Sequence, residues 1–279
     1  MTLQRYGALA LAATTVACAR VEAPESRPVV AVSVLPQAFF VEKIAGERVR
    51  IQVMIPPGAN PSTFEPSIEA LRSLSGAVLY VALGHPHFAF EAAWIEELLS
   101  EQPRLDVIRA MSEQASENDD PHIWLSPRLV RGQAGQIATA LEEVLPEEGE
   151  ALQENLAAFL SEIDTLDAEL RTRLKRYHGR KIFVFHAAWG YFAKDYGLVQ
   201  VSLEQGSRTP GAGALVTFIQ EAKREKASVI FVQPQFSQQS ARVVAEEIGA
   251  RVESLDPLAR DWTSNLRRAA IAFEGALRP

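Results

Sequence analysis

The chain has 279 residues, of which 47 % are hydrophobic and 23 % charged, with a formal net charge of −7. That length and apolar content allow about two domains with substantial cores, and 13 Phe, 5 Tyr and 4 Trp argue against disorder. A mildly acidic chain without a basic block is a poor fit to nucleic acid, so no nucleic-acid partner is expected.

At the N-terminus, Arg5 precedes an apolar stretch from Gly7 to Ala17 that is too short for a permanent membrane-spanning helix. A basic residue, a short apolar segment and small residues at its end read as a secretory signal over residues 1–18. The only cysteine of the chain, Cys18, follows Thr15-Val16-Ala17. This segment resembles a bacterial lipobox, with Thr15 in place of the usual leucine, and the resemblance implies lipidation of Cys18 and contact with a membrane surface. Ala17-Cys18-Ala19 also suits ordinary small-x-small cleavage. Either way the protein is expected to be exported, periplasmic or anchored at the outer face of the cytoplasmic membrane. With no other cysteine, the mature protein has no intramolecular disulfide and no thiolate ligand. Residues 19–28, rich in Ala, Pro, Glu and Ser, read as a flexible tether.

Val29 to Leu35 is a nearly continuous β-branched run, as in a buried parallel strand. A helix over Gln37–Ala45, a strand over Val49–Ile55, a helix over Ser67–Ser75, a strand over Ala77–Leu83 and a helix continuing through Trp94–Leu99 follow. Alternation of this kind to about Leu145 predicts an α/β lobe, residues 29–145, with a mostly parallel sheet. From residue 146 to 178 the pattern changes. Leu152, Leu156, Phe159, Leu160, Ile163, Leu166, Leu170 and Leu174 recur at spacings of three and four, which define one face of a long helix. His178-Gly179 suits its end, with His178 as a cap.

Residues 179–279 read as a second α/β lobe. Strands are predicted over Lys181–Phe185, Leu198–Leu203, Ser228–Val232 and Arg251–Leu255. Helices are predicted over Ala187–Tyr196, Leu215–Lys226, Gln239–Ile248 and Trp262–Leu277. Two α/β lobes joined by one long helix leave a cleft between them, and ligands of such sheets sit beyond the carboxyl ends of the strands.

The chemistry-bearing residues fall where that plan needs them. Four of the five histidines lie in Gly84-His85-Pro86-His87, Asp120-Pro121-His122-Ile123-Trp124 and Phe185-His186-Ala187-Ala188-Trp189. Leu255-Asp256-Pro257-Leu258 adds a carboxylate. His85, His186 and Asp256 stand at or just after predicted strand ends, and His122 in a loop before a helix. Neutral imidazole and carboxylate form the ligand set of a zinc-class site. A zinc hydrolase would need an open coordination position and a general base, and the chain has no His-Glu-x-x-His motif. No catalytic residue is therefore expected.

From Val29 to Leu277 the chain resembles the solute-binding proteins of zinc and manganese ABC importers, the cluster A-I or cluster 9 family. Besides the histidine motifs, the resemblance rests on Pro57-Gly58-Ala59-Asn60-Pro61-Ser62-Thr63-Phe64-Glu65-Pro66 and Phe231-Val232-Gln233-Pro234-Gln235-Phe236-Ser237. It implies metal held between two lobes as cargo, an ABC permease as partner, and a monomer. It also exposes a departure: the family usually has a ligand histidine where this chain has Ser62, whose hydroxyl is a poor zinc donor. The expected ligands are accordingly His85 in place of the missing histidine, with His87 in reserve, and His122, His186 and Asp256. Glu65 is expected to orient a ligand imidazole as an acceptor behind it.

Three imidazoles and one carboxylate suit tetrahedral Zn²⁺, whereas Mn²⁺ prefers more oxygen donors. The family's manganese branch usually carries glutamate where this chain has His186. Zinc members often carry a long His-rich acidic loop, but here Ser112–Asp119 is short and offers only Glu113, Glu117 and Asp119. Zinc is the expected cargo, manganese the alternative, and Cu²⁺ and Ni²⁺ should bind in vitro. A siderophore- or cobalamin-binding protein shares the two-lobe plan without needing four protein ligands, and a surface adhesin role is compatible with lipidation.

Overall fold

The computed structural model describes residues 27–95, 105–111, 119–204, 211–236 and 238–278. Cys18, the signal, most of the tether, Glu113 and Glu117 lie outside the described residues. Among those described, no helix is long and apolar enough to cross a membrane.

The first lobe is built on strands β1 (Val29–Val32), β2 (Arg50–Val53), β3 (Ala77–Ala82) and β4 (Asp106–Arg109), all parallel in the order β2-β1-β3-β4. Its helices are α1 (Leu35–Ala45), α2 (Ile68–Ser73) and α3 (Pro127–Val144). The second lobe repeats the order as β6-β5-β7-β8, again all parallel. Here the strands are β5 (Lys181–His186), β6 (Val199–Glu204), β7 (Val229–Val232) and β8 (Arg251–Ser254). Between the lobes runs α4 (Gly149–Leu174), and the second lobe adds α5 (Gly190–Asp195), α6 (Ala212–Arg224), α7 (Gln238–Ile248) and α8 (Trp262–Leu277).

Strand composition explains the order. The central strands β1, β3, β5 and β7 carry apolar runs covered on both faces. The edge strands β2, β4 and β8 carry Arg50, Asp106, Arg109, Arg251 and Glu253, which keep an edge soluble and unattractive to further pairing. Along β5, Ile182 and Val184 face the main core, while Phe183 and Phe185 face a second cluster with Phe218, Ala222, Ala241 and Val244. The main core runs without a break from the first sheet through Leu152, Phe159, Ile163, Leu166, Leu170 and Leu174 of α4 to Phe273 of α8. The face read from the sequence is thus the buried one, with Leu156 and Leu160 packed at its edge.

Several boundaries move for local reasons. β1 stops at Val32 because the Gln37 side chain takes over the next two backbone amides, Ser33 N at 3.0 Å and Val34 N at 3.1 Å, and so starts α1 early. The helix expected from residue 187 begins only at Gly190. Before it, Ala187 N donates to Glu204 O (3.2 Å), Ala188 N to His186 O (2.9 Å) and Trp189 N to Gln200 Oε1 (2.7 Å), which hold a turn instead. The long helix ends in single 3₁₀ turns, Pro146–Glu148 and Lys175–Tyr177, rather than running from 146 to 178. His178 is the C-cap residue of the second of these turns, and its ring lies over Gly197, where a Cβ would come within 2.2 Å of it. The helix expected over Trp94–Leu99 is represented by one π-helical turn, Glu91–Ile95, its remainder lying outside the described residues.

Two indoles join the lobes beside the cleft. Trp124 Nε1 donates to Pro257 O at 2.7 Å, and Trp262 Nε1 donates to Trp124 O at 2.6 Å. Both side chains are fully buried. They fix the segment after His122 against the one after Asp256. Glu162 of α4 adds a tie by accepting from Lys43 (2.6 Å) and Thr263 (2.8 Å).

Candidate metal centre

Both sheets reverse strand order between their first and third strands, so a crevice opens beyond the carboxyl ends of β1 and β3 and of β5 and β7. There the lobes enclose an open cleft of about 780 Å³, with His87, Asp119, Asp120 and His122 on one side and His186, Gln233, Gln235 and Phe236 on the other. A larger groove of about 1420 Å³ along α4 and α8 is lined by salt-bridged side chains and holds no histidine.

His122 and His186 face each other across the lobes with ring centroids 5.4 Å apart. Two imidazoles on one tetrahedral zinc, with Zn–N bonds of about 2.0–2.1 Å, place their centroids about 5 Å apart, so this separation fits a shared ion. His122 Nδ1 contacts Asp120 Oδ1 at 2.7 Å, and the same oxygen accepts from His122 N at 3.0 Å. An ionised carboxylate only accepts, so Nδ1 carries the proton and Nε2 keeps the lone pair for a metal. Asp120 also packs against the start of α5: a Cβ on Gly190 would stand 2.5 Å from Asp120 Oδ2. Glycine there admits the carboxylate.

His186 ends β5, 6 % exposed, stacked on Phe236 at 4.7 Å between ring centroids. Its Nδ1 is buried without a hydrogen-bond partner. Burial, with the adjacent His122 second, holds its pKa down at about 3; Asp120 opposes both. The imidazole is therefore neutral, the form that binds metal. Tyr191 also lines the cleft, but burial and then the Asp120 charge push its phenol up to about 12, which removes phenolate as a donor near neutral pH.

The depressed pKa of His186 carries a stability prediction. The unfolded chain binds a proton near pH 6.5 that the fold rejects until about pH 3, so stability is retained above 6.5 and falls as pH drops through that window. Between pH 7 and pH 5 the metal-free protein should lose about 2 kcal/mol from this group. Urea unfolding at the two pH values measures the loss, and His186→Gln should flatten it; an equal slope in that variant would contradict the assignment.

The structure separates the two histidines of the Gly-His-Pro-His segment. His85, the expected replacement ligand, is 2 % exposed, does not line the cleft, and accepts at Nδ1 from His87 N at 3.2 Å. A neutral imidazole has one ring lone pair, and this hydrogen bond uses it. His87 does line the cleft, its side chain 56 % exposed, with Nε2 at 3.2 Å from Asp119 Oδ1. Adjacent carboxylates of one loop thus hold two imidazoles, Asp119 that of His87 and Asp120 that of His122. The turn that presents His87 depends on Gly84, whose φ is +73° and whose Cβ would stand 2.5 Å from Arg109 Cβ. Below it, buried Glu91 accepts from Leu83 N (2.7 Å) and Gly84 N (2.8 Å).

Asp256 does not line the cleft. Its Oδ1 accepts from Gln235 Nε2 (2.7 Å) and Leu258 N (2.9 Å), and it borders a separate cavity of about 30 Å³ with Pro57, Gly58 and Gln235. Glu65 is exposed and does not line the cleft, and the acceptor behind His122 is Asp120, not Glu65. The Asp-Pro-His motif carried that signal, an Asx turn that starts two residues before His122. Ser62 does line the cleft, its backbone N donating to Asn60 Oδ1 at 2.9 Å. Among the described residues no group of three or more His, Cys, Asp or Glu stands assembled to hold an ion.

Residues 30–275 match the family described as zinc-uptake complex component A, periplasmic (ZnuA). The chain belongs to this family. A crystal structure of ZnuA is similar at 40 % identity and a TM-score of 0.84, covering 91 % of this chain and 100 % of that one. The high-affinity zinc uptake system protein ZnuA of Bacillus subtilis is 26 % identical over 242 residues, covering 80 % of this chain and 76 % of its own length. The zinc-binding lipoprotein AdcA of Streptococcus pneumoniae is 25 % identical over 266 residues; the match covers 87 % of this chain but only 52 % of AdcA. The chain thus spans about half the length of that ZnuA-family relative.

Proposed function

We propose that this protein captures Zn²⁺ outside the cytoplasm and hands it to the permease of an ABC importer. The observation that carries the reading is the His122–His186 pair, 5.4 Å apart across the cleft of a ZnuA-family chain. His87 is the third ligand and Asp256 the fourth, once Gln235 releases its carboxylate. His87 is preferred to His85 because it lines the cleft and its ring nitrogens are not taken by backbone. One lobe, residues 29–145, supplies His87 and His122; the other, residues 179–279, supplies His186 and Asp256; the segment 146–178 links them. An ion bound to both lobes ties them together, and that joined state is what the permease would recognise.

Relatives named for zinc uptake and a structure of a ZnuA deletion mutant with zinc bound support zinc as cargo. Imidazole at position 186 also favours zinc over manganese. Four protein donors leave no open position for an activated water, so the protein carries out no reaction on its cargo. The chain is read as an exported monomer, lipidated at Cys18 like the relatives named as lipoproteins. Titration of the metal-free mature protein with zinc chloride, with manganese chloride as competitor, tests the reading. One tight zinc site that manganese displaces poorly is expected; absence of zinc binding would overturn it.

A further inference from the structure

The second lobe's cleft wall contains a mismatch that the ligand set does not explain. His186 Nδ1, Gln233 Oε1 and Gln235 Oε1 are all buried and all without a hydrogen-bond partner. Leaving a buried polar atom unpaired costs about 1–3 kcal/mol, so three together on one wall of a binding cleft call for an occupant or a rearrangement. His186 ends β5 and Gln233 directly follows β7 at the switch point; they are 6 % and 2 % exposed and already joined, Gln233 Nε2 donating to His186 O at 3.2 Å. That bond fixes the amide. A carbonyl can only accept, so the nitrogen must face it, and Oε1 is left as an acceptor beside the His186 residue.

We infer that Gln233 is a positioning residue for the metal, accepting at Oε1 from His186 Nδ1–H when zinc is bound and so reserving Nε2 for the ion. A ligand imidazole almost always donates its other N–H to an acceptor, which sets the tautomer and the ring plane. For His122 that acceptor is Asp120. For His186 no group bonds Nδ1, Glu204 on the other neighbouring strand included: Phe236 stacks on the ring, and the unpaired oxygen of Gln233 is an acceptor beyond the neighbouring strand β7. Pairing the two would satisfy both orphaned atoms at once. The accessible ring nitrogen, Nε2, then points to the side on which His122 stands. A neutral amide in this place holds the proton on Nδ1 without adding another negative charge beside Asp120.

The inference rests on the zinc-binding reading, and the experiment separates the two. Zinc chloride is titrated into the full mature protein, Gln233→Met and Gln233→Glu, with a chromophoric chelator as competitor. Methionine keeps the volume and removes both the acceptor and the Nε2 donor to His186 O; glutamate lacks that donor too but keeps an acceptor oxygen, so the two variants differ in the acceptor. Gln233→Met should bind zinc about 10–100-fold more weakly than the parent, as for other partners of ligand imidazoles, while Gln233→Glu should bind clearly more tightly than Gln233→Met. In ¹⁵N-resolved imidazole spectra of the zinc-loaded parent, His186 should be metal-bound at Nε2 with a slowly exchanging proton on Nδ1. That proton should exchange rapidly in Gln233→Met. Unchanged affinity in Gln233→Met, equal loss in both variants, or zinc on Nδ1 would overturn the inference. A parent that binds no zinc would instead overturn the proposed function.

Discussion

His87→Ala should weaken zinc binding by more than about a hundredfold, beyond the 10–100-fold typical of losing a partner behind a ligand. His87 is the one imidazole of the Gly-His-Pro-His segment that lines the cleft, and without it the first lobe keeps only His122 there. His85→Ala should cost less. Its Nδ1 takes the His87 amide, so its loss loosens the turn rather than removing a donor. The measurement is competitive zinc titration of both variants against the parent. Tight binding by His87→Ala together with its loss in His85→Ala would return the ligand role to His85. Thermal unfolding with and without zinc gives an independent check, because an ion that binds only the folded state raises the midpoint by an amount that grows with the logarithm of its affinity.

Ser62→His should restore to His87→Ala at least about a tenfold share of the lost affinity, about 1.4 kcal/mol of binding free energy. Ser62 lines the same cleft, on a turn held by Asn60 Oδ1, so an imidazole there faces the same space as His87. The logic is exchange of one donor for another, the reverse of the substitution that sets this chain apart from the family pattern. In the parent background the same change should leave zinc bound tightly, because a surplus imidazole adds little once four donors are present. If the double variant bound no better than His87→Ala, Ser62 and His87 would not address a common ion.

Much of the fold was legible because periodicity is a local property. The three-and-four spacing from Leu152 to Leu174 gave the buried face of the long helix, and β-branched runs marked the central strands. Where side chains compete with backbone, local reading missed: Gln37 takes two amides from β1, and Gln200 with Glu204 delays α5. Gln37 is a near neighbour of those amides, but hydrophobic periodicity does not register a side chain that competes with the backbone, and Gln200 and Glu204 come from the next strand.

The amino-acid sequence by itself determined the two α/β lobes, the helix between them, the family, and the placing of histidines at strand ends. Each follows from short-range patterning or from motifs whose order survives along the chain. Only the tertiary structure decided which side chains reach the cleft. It turned His87 outward and buried His85, set Asp120 rather than Glu65 behind His122, and tied the Asp256 carboxylate to Gln235. It also left His186 and Gln233 with one unpaired atom each, side by side. The reason is physical: a donor's usefulness depends on which lone pair remains free after packing and hydrogen bonding, and those partners come together only when both sheets and the long helix are assembled.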